Sequence, residues 1–209
     1  RGAVSIYKME LGQWELMQTL DSAPFPNVSG FGNDVSMDGD HLVVGASSSD
    51  IGVRDAGAVI HFERSGDVWV HKETLYSPNP RYRSRFGLSV AIKNNLVIVG
   101  ESGNVESGPG KFFIYNLNVD GLELVDELDD IDTQPQIGTS LLKASISDDH
   151  VVLSKYGSNN QIFVRVYEII GNHLAQYQVL NAPVPSYDFG EALAIDGNRL
   201  AVGDSSAGS

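Results

Sequence analysis

The sequence predicts an all-β protein assembled from a β-meander unit of roughly fifty residues, repeated about four times. Three observations carry that expectation. Four sequence anchors recur in a fixed order. The anchors have strand character, being either alternating or apolar throughout and rich in Val, Ile, Phe and Tyr. No stretch shows helical periodicity.

The first anchor is Phe31-Gly32, Phe86-Gly87, Ile137-Gly138 and Phe189-Gly190, at spacings of 55, 51 and 52 residues. The second is Leu42-Val43-Val44-Gly45-Ala46, Leu96-Val97-Ile98-Val99-Gly100, Val151-Val152-Leu153-Ser154 and Leu200-Ala201-Val202-Gly203. Such short continuous apolar runs suit a strand buried on both faces. The third is Gly2-Ala3-Val4-Ser5-Ile6-Tyr7, Gly57-Ala58-Val59-Ile60-His61-Phe62, Gly110 to Tyr115 and Gln161 to Tyr167. The fourth runs Trp14 to Leu20, Trp69 to Leu75, Leu122 to Leu128 and Leu174 to Leu180. Hairpin turns separate the first two: Asp38-Gly39-Asp40, Lys93-Asn94-Asn95, Ser147-Asp148-Asp149 and Asp196-Gly197-Asn198.

Each unit therefore reads as four antiparallel strands, the composition of a β-propeller blade. Residues 1–209 are expected to form one propeller domain or segment, with units beginning near 31, 86, 137 and 189. The chain opens at strand three of a unit and stops after strand two of another. Two arrangements fit that phase. Residues 189 to 209 could complete a fourth blade with residues 2 to 20, removing unpaired edges, or the segment could belong to a longer array.

Composition bounds the function. Hydrophobic residues make up 42% and charged residues 20%, ordinary values for a globular chain. The net charge of −13 disfavours nucleic acid and anionic lipid as partners. With no cysteine there is no disulfide, thiolate catalysis or thiolate metal site. No apolar run approaches a membrane span.

These anchors resemble the FG-GAP repeat family, the blades of the integrin alpha-subunit head and of many surface proteins. Phe31-Gly32, Leu42 to Ala46 and Gly57-Ala58-Val59 carry the likeness, as do Phe86-Gly87-Leu88-Ser89-Val90 and Val97 to Gly100. The resemblance covers nearly the whole chain. It implies an extracellular or cell-surface propeller that presents ligand-binding loops. The third unit departs from the pattern, with Ile137 for Phe and Ser154 for Gly. The family's calcium loop of spaced aspartates is missing, and turns of two or three residues do not wrap a six- to eight-coordinate ion. No cofactor is expected, with calcium at these turns the lesser reading.

Connections between strands two and three, and from strand four to the next unit, are long and fall on one face of a meander. Binding concentrates in such loops. Arg81-Tyr82-Arg83-Ser84-Arg85 gathers three arginines in an acidic chain and suits an acidic partner. Its competing reading is charge compensation with Asp126, Glu127, Asp129, Asp130 and Asp132. Arg54 and Asp55 form a second candidate, against a solvated turn, and Tyr187 with Asp188 a third, against packing. Asn27-Val28-Ser29 is a glycosylation sequon in a long loop. Trp14 and Trp69 share one repeat position that Leu122 and Leu174 fill elsewhere, so both are expected in the core.

No catalytic motif appears. His41, His61, His71, His150 and His173 lack metal-helix spacing and read as structural or solvated. There is no Gly-x-Ser-x-Gly elbow or phosphate loop. The expectation is a non-catalytic module that binds a protein ligand. A lectin-like propeller is the alternative, disfavoured because the long loops differ between units. An enzyme or accessory domain ranks third.

Overall fold

The computed structural model describes residues 2–103, 110–129, 143–156, 162–184, 186 and 188–206. The anchors Ile137-Gly138 and Gln161, together with Tyr187, lie outside the described residues. No helix among the described residues is long and apolar enough to cross a membrane.

The described chain is all-β and antiparallel. Strands β1 (Ala3–Glu10) and β2 (Gln13–Asp21) form a two-stranded sheet. Strands β3 (Phe31–Asp38), β4 (His41–Ala46), β5 (Ala58–Ser65) and β6 (Val68–Tyr76) form a four-stranded meander. A second meander contains β7 (Ser89–Lys93), β8 (Leu96–Glu101), β9 (Lys111–Asn118) and β10 (Gly121–Asp129). A third contains β11 (Lys143–Ile146), β12 (His150–Tyr156), β13 (Ile162–Ile170) and β14 (His173–Leu180). Strands β15 (Leu193–Asp196) and β16 (Arg199–Val202) close the order as a two-stranded sheet. The strand phase read from the sequence is the one observed. The two terminal hairpins remain separate sheets, so they do not build the joint four-stranded sheet that terminal closure required.

Repeated anchors meet repeated partners. The Gly87 amide donates to the Gly100 carbonyl at 3.0 Å, and Gly190 repeats this with Gly203 at 2.8 Å. In the second and fourth units the first-anchor glycine is thus tied to the second-anchor glycine of its own unit. Between units, the Phe86 amide donates to the Ala56 carbonyl at 2.8 Å, and Gly57 bridges Phe86 in parallel. A side chain on Gly57 would collide with Phe86 backbone, and Gly2 stands in the same relation to Phe31.

A second set of ties joins the first strands of successive sheets. The Val90 amide donates to Asp34 Oδ2 at 2.9 Å, Ile92 to Ser36 Oγ at 3.0 Å and Asn94 to Asp38 Oδ2 at 2.6 Å. Farther along the chain, Ala144 donates to Ser89 Oγ and Ile195 to Ser145 Oγ. Alternate residues of one strand point to the same side, so their short polar side chains can satisfy edge amides of the next sheet. These strands, β3, β7 and β11, line one cleft of about 490 Å³ together with the start of β15.

The apolar core lies between sheets. Ile6 and Leu20 pack on Phe31, Phe62 and Trp69. Val43 and Val59 pack on Phe86, Phe113 and Tyr115. The next layer joins Ile98 and Phe112 to Leu153 and Tyr167, and the last joins Val152 and Val164 to Phe189. Burying each such side chain contributes about 1.5–3 kcal/mol. Trp14 is a correction to the sequence reading: Trp69 is 4% exposed, whereas Trp14 is 68% exposed. Trp69 has β2 in front of it, with its amide donating to Gln18 Oε1 at 2.7 Å. Trp14 sits on β2 itself, and among the described residues no sheet covers that face of the hairpin.

Candidate functional site

The arginine loop and the Arg54–Asp55 turn, far apart in sequence, form one site. Three connections knit together on this edge: residues 22–30, 47–57 and 77–88. Asp50 donates its amide to the Asn27 carbonyl at 3.1 Å, and Ser49 Oγ accepts the Ser29 amide at 3.1 Å. On the other side, the Arg83 amide donates to the Arg54 carbonyl and the Arg85 amide to the Asp55 carbonyl, both at 2.9 Å. Asp50 Oδ1 caps the Asp55 amide at 2.8 Å.

The loops are held in a demanding shape. Asp55, Arg83 and Arg85 have φ values of 50°, 55° and 54°. A left-handed conformation costs a non-glycine residue about 1–2 kcal/mol. Here it is offset by the three backbone hydrogen bonds that Arg83, Arg85 and Phe86 send to the neighbouring loop. The site is therefore set by backbone, with side chains free to differ from unit to unit.

Charge is unevenly placed on it. Asp55 Oδ2 lies 3.6 Å from Arg54 Nε and 3.7 Å from Arg83 Nε. Arg54 and Arg83 are largely exposed, so these pairs contribute little to stability. Tyr82 is exposed as well, with the Arg83 guanidinium 5.2 Å from its ring centre. Arg81 turns inward instead. Its Nη2 donates to Glu101 Oε1 at 2.6 Å, and Ser77 Oγ donates to Glu101 Oε2 at 2.5 Å. Glu101 is 1% exposed. Burial pushes its carboxyl above the ordinary carboxylate value, and the hydrogen bonds from Ser77 and Arg81 pull it back only in part.

Arg81 and Arg83 meet carboxylates other than the five named from the sequence, of which Asp130 and Asp132 lie outside the described residues. Glu101 holds Arg81 and Asp55 faces Arg83, while Glu127 pairs with Lys111 at 3.2 Å. The signal for Glu101 was present: it follows the strand-two glycine, where the first unit has Ala46 and the fourth Asp204. A carboxylate at an otherwise apolar strand end needs a cation.

Of the remaining candidates, Asp188 lies elsewhere, in a serine–carboxylate cluster: its amide donates to Ser186 Oγ at 3.1 Å and its Oδ2 accepts Ser205 Oγ at 3.1 Å. Ser186 Oγ also donates to Asp204. Asn27 belongs to the knitted edge itself, exposed and with φ of 63° in the 22–30 connection. In the β3–β4 turn, Asp38 takes Lys93 Nζ at 3.2 Å and Asp40 takes the Arg64 guanidinium.

No protein-family model matches the chain, and no curated protein matches it, so the likeness to FG-GAP repeats rests on the anchors quoted above.

Proposed function

We propose that this chain is a segment of an FG-GAP-type β-propeller that works as a non-catalytic binding module at the cell surface or outside the cell. Its knitted loop edge takes an acidic protein ligand. The observation that carries this reading is the assembly of Arg54, Arg81, Arg83 and Arg85 from two connections onto one backbone-locked edge. Arg54, Arg83 and Tyr82 are exposed on this edge, and arginine with tyrosine forms strong contacts to carboxylates. Arg81 is fixed on Glu101 and serves as the anchor of the loop. In a chain of net charge −13, the exposed Arg54 and Arg83 lessen the repulsion that an acidic partner meets at this edge.

The propeller part of the proposal draws on the sheet order and on the cleft that the first strands share. The binding part is tested with an Asp/Glu-rich peptide on a biosensor surface. Binding should weaken with salt. It should fall about tenfold or more in the double variant Arg54→Ala/Arg83→Ala. Equal binding by that variant, or no binding by the parent chain, would overturn the reading.

A further inference from the structure

A second polar assembly lies apart from the arginine edge, beside the short β9–β10 turn. It opens into a cavity of about 610 Å³ between the first and second meanders. His41 on β4, His61 on β5 and Glu73 on β6 project into it from the face that packs on the second meander. The spacing follows from period two: His41 precedes Val43, and His61 follows Val59, the two valines of that interface. His61 and Glu73 are direct cross-strand partners, as are His61 and Val43.

The chain of contacts is continuous. His61 Nδ1 lies 3.3 Å from Glu73 Oε1, and His61 Nε2 lies 3.2 Å from His41 Nδ1. Glu73 is fixed in turn by the next sheet. The Leu122 amide donates to Glu73 Oε1 at 3.0 Å, and a Cβ on Gly121 would lie 2.9 Å from that oxygen. Gly121 also has φ of 127°, a backbone conformation that favours glycine, and so lets the β9–β10 turn close on the carboxylate. His61 is 2% exposed, so its ring is held in place by the sheet around it.

With Nδ1 directed at the Glu73 carboxylate, the Nε2 of His61 is the nitrogen that faces His41. A carboxylate behind the imidazole is also how proteins orient a histidine ligand and raise its basicity. The facing nitrogens are 3.2 Å apart. Two nitrogens on one tetrahedral cation, each about 2.0–2.1 Å from it, stand about 3.3 Å apart. The half-buried His41 ring needs to turn and move its proton from Nδ1 to Nε2 for both lone pairs to converge.

We propose that His41 and His61 form a two-imidazole site for a divalent transition-metal cation such as zinc or copper(II), with Glu73 as the positioning carboxylate. Among the described residues no three His, Cys, Asp or Glu side chains converge as a metal group. Water fills the other positions, so the site is of modest affinity and open to a ligand. Imidazole donors select this class of metal over calcium or magnesium.

Zinc chloride is titrated calorimetrically into the full chain, and copper(II) is followed by electron paramagnetic resonance. The expected result is one saturable site per chain, with splitting from two nitrogens in the copper spectrum. His41→Gln should weaken binding at least about tenfold and remove one nitrogen. Glu73→Gln should weaken binding by about tenfold while both nitrogens remain. His150→Gln, at the equivalent position of the third meander, should bind as the parent does. Unfolding curves confirm that each variant is folded; if His41→Gln fails to fold, His41→Asn takes its place. Absence of saturable binding, or parent-like affinity and spectrum in the His41 variant, would overturn the proposal.

Discussion

The backbone of Phe86 occupies the space in which a side chain on Gly57 would stand: its carbonyl oxygen is 2.2 Å and its amide nitrogen 2.4 Å from that Cβ position. Two repeat anchors from successive sheets thus define each other. Gly57 also has φ of 88°, which side-chain-bearing residues rarely adopt. Gly57→Ala should destabilise the chain by about 3 kcal/mol or more, combining backbone strain with a backbone collision. Gly66→Ala is the control, since Gly66 has positive φ but open space around it. It should cost about 1 kcal/mol. Urea unfolding midpoints distinguish the two.

The side-chain ladder between first strands gives a local readout. Ser36→Ala removes the acceptor of the Ile92 amide. The loss should be about 1–2 kcal/mol, the usual effect of leaving a donor without its partner. Hydrogen exchange at Ile92 should accelerate more than at Ile98, whose strand β8 is flanked on both sides by β7 and β9. Equal acceleration at both amides would mean that the ladder does not hold the sheets together.

The two tryptophans should report different environments. Trp69→Ala should cost about 3–5 kcal/mol, as for a large core side chain. Trp14→Ala should cost less than about 1 kcal/mol, because Trp14 is exposed in this chain. Trp69→Phe should leave a red-shifted emission readily quenched by acrylamide. The emission of Trp14→Phe should resist quenching.

Glu101 gives a pH dependence with a definite sign. Its folded pKa lies above the ordinary value of 4.5 because burial dominates. Between those two values the folded state holds more protons than the unfolded state, so this group's contribution to stability falls as pH rises. Below 4.5 both states are protonated and the contribution is level. Glu101→Gln lacks this titration. The stability of the variant relative to the parent should therefore rise through that window and then flatten. A slope of opposite sign would show that Arg81 and Ser77 outweigh burial.

Much of the fold was legible because the repeat is written locally. The alternation in Gly57 to Phe62 and the continuous run from Leu42 to Ala46 carry strand character in their own side chains. The turn at Asp38-Gly39-Asp40 fixes which strands are neighbours. The loop candidates were legible only as composition. Nothing in Arg81 to Arg85 says that Arg81 turns inward while Arg83 stays out, because that depends on Glu101, twenty residues away in the neighbouring strand. The spacing of His41, His61 and Glu73 was open to the same period-two reasoning, but their meeting point required the register of β4, β5 and β6.

By itself, the sequence determined an all-β chain, the four-strand unit, the phase in which the chain enters and leaves it, and the positions of the connections. These follow from side-chain periodicity and turn chemistry, which act over a few residues. Tertiary structure alone decided which tryptophan is buried, which arginine turns inward onto a buried carboxylate, and that the terminal hairpins stay apart as separate sheets. Burial and ion pairing depend on what the neighbouring sheet places opposite a residue. Trp14 and Trp69 occupy the same position in the repeat, yet among the described residues only Trp69 has a sheet in front of it.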